Sequence, residues 1–92
     1  MINFVIYYNK IISHLEMLGA IYEANSDESR AHTFIFAAQT IKDNFDTLPD
    51  NIHEIRNLKG IGPSVMKEIH ECLLFGTSKR LELLQEKLEN KA

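Results

Sequence analysis

The sequence predicts an all-α fold, a compact domain of four to five helices in which residues 1–92 form one unit. Three observations carry that expectation. No segment alternates apolar and polar residues with the period of two that a half-buried strand requires. Apolar residues instead recur at three- and four-residue intervals through most of the chain, the spacing of one helix face. Clusters of turn-forming residues around positions 25–28, 46–50, 58–62 and 76 cut this pattern into helix-sized pieces. With 92 residues, 45 % of them apolar, the chain can bury one core and has no room for a second.

The elements follow in order. Residues 2–24 carry Val5, Tyr8, Ile12, Leu15, Leu18 or Gly19 and Tyr22 on one stripe, so a first helix is expected there. Asn25, Ser26, Asp27 and Glu28 break the stripe, and Ser26 or Asp27 suits an N-cap because a short side-chain oxygen can accept an orphan amide hydrogen bond. A second helix is expected from about 28 to 44, with Phe34, Ala37, Ala38 and Ile41 inward and Phe45 just past its end. The Ala37–Ala38 step lets a neighbouring helix come close. Residues 46–50 read as a turn. A short third helix is expected over 50–57, with Ile52 and Ile55 inward. Leu58-Lys59-Gly60-Ile61-Gly62 then forms a hairpin, and Pro63 suits the first position of a fourth helix, where its missing N–H costs nothing. That helix buries Val65, Ile69, Cys72 and Leu73 and ends at Gly76, which favours the left-handed residue after a helix. A fifth, over about 78–90, carries Leu81, Leu84 and Leu88; its interspersed Glu and Lys/Arg read as a solvated face with pairs four residues apart.

Composition narrows the function classes. Cys72 is the one cysteine, so no intramolecular disulfide forms, and a reduced intracellular setting is expected. The histidines at 14, 32, 53 and 70 lack metal-ligand spacing. The apolar start, Met1 to Tyr8, is interrupted by Asn3 and followed by Asn9 and Lys10; it is shorter than the ~20 residues of a membrane span. It also lacks the basic flank and cleavage site of a leader, so no membrane partner is expected. The net charge of −3 is unevenly spread: residues 1–50 hold three Lys/Arg against seven Asp/Glu, and residues 51–92 hold seven against six. Any polyanion binding is therefore expected in the second half, weak and salt-sensitive.

Residues 50–76 are the informative segment. Two glycines flank Ile61, which can plug the core and pin the hairpin. Without Cβ atoms, Gly60 and Gly62 let a foreign backbone approach the hairpin amides. Those amides and the start of the fourth helix, at Ser64 and Val65, carry partial positive charge and suit a phosphate. Lys59, Lys67 and Arg56 stand nearby in sequence. Such contacts read backbone and no base sequence. The same Gly spacing also serves as a plain tight turn between helices.

The run from Leu58 to Gly76, LKGIGPSVMKEIHECLLFG, resembles the first helix-hairpin-helix of the X-family, polymerase beta-like DNA polymerases. The helix Phe34-Ile-Phe-Ala-Ala-Gln-Thr-Ile41 and the turn at Leu48-Pro49 extend the resemblance to roughly residues 10–88. It implies the N-terminal domain of such a polymerase or a detached copy of it, recognising gapped, nicked or 5′-phosphorylated DNA in repair or end processing. The chain is too short to hold a polymerase domain as well. A C-terminal polymerase domain or another repair protein is then an expected partner, and the setting would be wherever DNA is, nucleus or viral or bacterial nucleoid. The resemblance also implies a sodium or potassium ion held by the backbone carbonyls of Arg56, Leu58 and Ile61, and no other cofactor. The N-terminal helix-hairpin-helix domain of crossover-junction endonucleases looks similar as well.

Repair members of the family use this domain as a 5′-deoxyribose-phosphate lyase, whose lysine forms an imine with the abasic sugar. The position of that lysine is Glu68 here, and a carboxylate forms no imine and would repel a phosphate. Ser64 stands where the family has a basic residue, and Phe34 where it has a supporting tyrosine. Arg30 keeps the charge of a phosphate-binding lysine. The chain alone is thus not expected to be an enzyme, with Lys67 and Lys59 as the only displaced amines to consider. A protein-interaction domain on the same scaffold is the third reading, motivated by the acidic first half. His32 beside the aromatics of the second helix reads as solvated, His70 and Glu71 as a polar face after Glu68, and Tyr7, Tyr8, Tyr22 and Phe34 as core. Phe36 is the aromatic that suits a partner-facing position.

Overall fold

The computed structural model describes residues 4–90, and side chains through residue 88. It contains five helices: α1 (Phe4–Ala24), α2 (Glu28–Asn44), α3 (His53–Arg56), α4 (Pro63–Phe75) and α5 (Lys79–Asn90). No strand occurs among the described residues. The radius of gyration, 13.1 Å, is close to the roughly 12 Å that a globule of this length should have.

Helices α1 and α2 form the most extensive helix pair and the frame of the molecule. Asp27 is the N-cap between them, its Oδ1 accepting the Arg30 amide at 3.2 Å. Ser26, the other candidate, instead takes the left-handed conformation that turns the chain, φ +62°. The close approach of the two helices depends on small residues. Ala37 and Ala38 are fully buried, and a Cβ on Gly19 would collide with the Ile35 side chain. Ile11, Leu15 and Leu18 of α1 and Phe34 and Ile41 of α2 fill the space between. Tyr22 stacks on Phe34 with ring centroids 5.9 Å apart. Tyr8 is half-buried, and its hydroxyl donates to the Phe45 carbonyl at 2.7 Å, tying α1 to the end of α2.

Several expectations need correction. Val5 is 55 % exposed, because α1 overhangs the core at its N-terminal end. The third helix is one turn, His53–Arg56, instead of the eight residues 50–57. Around that turn the amides of Glu54, Ile55 and Leu58 bond three residues back, and the Asn51 side chain takes the His53 amide. These tight local bonds compete with α-helical ones and stop propagation. Ile55 is buried nonetheless, and Ile52 is half-buried. Leu73 is also half-buried, and Leu88 is 37 % exposed as α5 runs past the core.

Helix α4 starts and ends as its residue types dictate. Gly62 is its N-cap, Pro63 its first residue, and Gly76 its left-handed C-cap at φ +74°. Its inward face carries Val65, Met66, Glu68, Ile69 and Cys72. Glu68, expected on a polar face, is 1 % exposed. Helix α5 is capped by Ser78, whose hydroxyl accepts the Leu81 amide at 3.1 Å, and it lays Leu81 and Leu84 against the core. Ion pairs four residues apart are not found along α5 among the described residues; Arg80 turns inward to Glu68 instead. No helix among these residues is long and apolar enough to cross a membrane.

Candidate nucleic-acid interface

The segment from Leu58 to Gly62 is shaped by three local facts. The Ile61 amide closes a turn onto the Leu58 carbonyl at 3.2 Å. Ile61 is buried and anchors the turn to the core. Gly60 sits at φ +93°, where an L side chain is strained, and an added Cβ would stand 2.5 Å from the Phe36 ring edge. Phe36, 46 % exposed, is therefore the wall of α2 against which the turn leans. The His32 ring stacks on Phe36 with centroids 5.6 Å apart, so the two rings make an exposed aromatic pair.

Gly62 differs from Gly60. Its backbone is extended, φ −103° and ψ −175°, a conformation open to any residue, and nothing lies within 4 Å of an added Cβ. The empty space there faces the start of α4. The amides of Ser64 and Val65 have no acceptor within the helix, and Gly62 supplies no side-chain cap. Val65 itself is buried, so only its amide is offered; Ser64 is exposed.

A cleft of about 440 Å³ opens beside this helix start, lined by Arg56, Gly62, Lys67 and His70 among others. Arg56 comes from α3 and Lys67 from α4, so the turn brings two expected cations together. Lys59 is exposed on the turn itself and does not line the cleft. Arg30 stands apart. It pairs with Asp27 at 2.7 Å, lies over the Tyr22 ring, and neighbours Arg80 rather than the hairpin cations. His70 was not singled out as a site residue, although its place seven residues after Pro63, two turns along the same face, put it within reach. It is half-buried, and the His53 ring of α3 stands 6.3 Å away.

The Glu68 position has a different chemistry from the one its sequence suggested. Its carboxylate accepts from His14 Nε2 at 3.1 Å on one side and from Arg80 Nε at 3.1 Å on the other. Ser78 contributes a further hydrogen bond, and Arg80 continues to the Tyr22 hydroxyl at 2.8 Å. Burial opposes ionisation of Glu68, but the hydrogen bonds from His14, Ser78 and Arg80, with the charge of Arg80, outweigh it and hold the carboxyl below its ordinary range. This group is saturated by protein partners and does not point into the Arg56–Lys67 cleft. Lys67 and Lys59, the displaced amines, are both exposed.

No protein-family model, curated protein or solved structure matches the chain. The site is therefore judged on its own chemistry. It offers two unpaired helix amides, two cations and an unobstructed approach, which suits a phosphate. Of the carbonyls expected to hold a monovalent cation, that of Leu58 accepts the Ile61 amide at 3.2 Å. Among the described residues no group of three or more His, Cys, Asp or Glu is placed to hold a metal.

Proposed function

We propose that the chain is a noncatalytic DNA-binding module of the helix-hairpin-helix type, built like the N-terminal domain of X-family polymerases. It recognises gapped or 5′-phosphorylated DNA without reading sequence. The observation that supports this best is the open space over Gly62 at the uncapped start of α4, flanked by Arg56 and Lys67. A phosphate there accepts from the Ser64 and Val65 amides and gains both cations, with Lys59 reaching the next phosphate along the strand. A sodium or potassium ion on the carbonyls of Arg56, Leu58 and Ile61 would add positive charge at the turn. Arg30 takes no part in this phosphate contact.

The test is fluorescence anisotropy on a one-nucleotide-gapped duplex, with and without the 5′-phosphate, at two salt concentrations. The module binds the phosphorylated gap more tightly, and salt weakens it. Gly62→Asp removes the binding, because its carboxylate occupies the phosphate position. Titrations that stay flat, or a Gly62→Asp chain that binds as well as the parent, overturn the reading. Lyase activity through Lys67 or Lys59 is the lesser alternative, and borohydride trapping on an abasic 5′ end should yield no adduct.

One observation favours a protein-interaction reading. A groove of about 600 Å³ is lined by Phe4, Tyr7, Leu48, Pro49, Ile52 and Leu73, and Leu74 and Phe75 are 75 % and 72 % exposed nearby in sequence. Exposed apolar surface of this kind marks contact sites. Flat DNA titrations would shift the assignment to this groove.

A further inference from the structure

The start of α1 and the end of α4 build an apolar face at the opposite end of α4 from the hairpin. The two helices pack together, and their seam separates two recesses. Phe4 and Tyr7 share the groove of about 600 Å³ with Leu73, and Leu48, Pro49 and Ile52 complete it. On the other side Lys10 shares a recess of about 450 Å³ with Cys72 and Gly76. Leu74 and Phe75 lie between Leu73 and Gly76 in the chain and so stand on the ridge dividing the two. They are 75 % and 72 % exposed, more open than any other large apolar side chain among the described residues. Helix α4 does not need them apolar: its stop comes from Gly76, and its core contacts come from Val65, Met66, Ile69 and Cys72.

A projection and a recess side by side make this face complementary to itself. In a twofold interface residue i of one copy meets residue j of the other, and j meets i, so each copy must carry both halves of the fit. The charges agree with such pairing. Asp50 lines the groove, and Lys10 stands over the Tyr7 ring at 5.7 Å, one charge of each sign despite the net −3 of the chain. The area agrees as well. An open aromatic side chain presents about 150–250 Å², so Phe75 and Phe4, 72 % and 37 % exposed, offer about 160–270 Å² between them. Leu74 and Val5 add a comparable amount. That is about half of the ~800 Å² per partner in a stable interface, before the groove walls are counted.

We infer that this face joins two copies of the chain in a twofold dimer, with Leu74 and Phe75 of each copy seated in the Phe4–Tyr7–Leu73 groove of the other. The occupant of the apolar groove is then a second copy of the same chain. This pairing is independent of the phosphate reading. The 13 residues of α4 hold Phe75 about 20 Å from Gly62, so the dimer leaves the start of the helix uncovered. An interface of this modest size, built on few large side chains, dissociates in the micromolar range.

The experiment is sedimentation equilibrium on the full chain over about 5–500 µM, a range that brackets such a dissociation constant. The mass rises from one chain to two and stops there. Leu74→Gln with Phe75→Gln changes two exposed side chains and no charge, and it weakens the dimer at least about tenfold. Phe4→Gln weakens it from the receiving side. Leu83→Gln, at a residue 49 % exposed on α5, is the control and leaves the dimer intact. Circular dichroism melts establish that each variant is folded. A single chain at every concentration overturns the inference and leaves the groove to a different protein. A dimer that neither the Leu74/Phe75 variant nor Phe4→Gln weakens overturns it too, since the contact then lies elsewhere. So does a mass that grows past two copies, the mark of a contact that does not close. None of these outcomes bears on anisotropy with the phosphorylated gap, which reports on the phosphate reading alone.

Discussion

The two glycines of the turn flank the same residue, Ile61, and have opposite physical roles. Gly60 is required by the fold: its φ is +93°, and its Cα faces the Phe36 ring. Gly60→Ala should cost about 1–3 kcal/mol through backbone strain and contact with that ring. Gly62 is extended, with open space around it, and occupies the N-cap of α4. An aspartate is a better N-cap than glycine by a few tenths of a kcal/mol, so Gly62→Asp should raise stability slightly while abolishing phosphate binding. Urea denaturation of the two variants checks this, and a loss of stability in Gly62→Asp would contradict the N-cap geometry. No inspection of Gly60-Ile61-Gly62 as letters separates these roles, because the difference lies in Phe36, which is contributed by another helix.

At the scale of elements, α1, α4 and α5 are joined through Glu68. His14 and Glu68 are both buried, and the pair spans helices 54 residues apart in the chain. Breaking a buried pair from one side leaves the other group uncompensated, so Glu68→Ala should cost about 3 kcal/mol. Its pH signature follows from the depressed ionisation of Glu68 in the folded chain. A carboxyl ionised more readily when folded than when unfolded contributes stability above its unfolded value, near pH 4.3. That contribution is lost as pH falls through the lower folded value. Thermal melts between about pH 6 and pH 2 should show an acid-induced fall in Tm that is smaller in Glu68→Gln, the remainder coming from other carboxyls such as Asp27. The α2 boundaries, the Pro63 start and the Gly76 stop of α4 were legible in the sequence, since caps and breakers act locally. The burial of Glu68 was half legible. It stands three residues after Val65 and four before Cys72, on the inward face, but its charge argued for solvent. The partners that reverse that argument, His14 and Arg80, lie on other helices. The third helix is shorter than its apolar spacing predicts for a related reason: the Asn51 side chain and the tight turns around it compete for the backbone.

For the whole molecule, the sign of the charge matters less than where it lies. The chain carries −3 overall, yet the cleft is lined by Arg56, Lys67 and His70 with no carboxylate, and the carboxylate nearest in sequence, Glu68, is internally neutralised. Binding should accordingly rest on few contacts. With Arg56, Lys67 and Lys59 engaged at neutral pH, the log–log salt slope should be about −2 to −3, and isothermal titrations over a salt series measure it. A slope much steeper than that would mean a wider footprint, drawing on the lysines of α5. Composition alone pointed the other way, because a sum over residues discards position.

The Glu68 triad also constrains how this sequence can change. Lysine at position 68, taken alone, would put a second cation beside Arg80 in the interior and remove the carboxylate that pairs with it. That substitution alone should cost at least as much as Glu68→Ala, about 3 kcal/mol or more. Residues 14, 68 and 80 are therefore coupled, and substitutions among them should not add independently. An amine at that position should be tolerated better when residues 14 and 80 change with it.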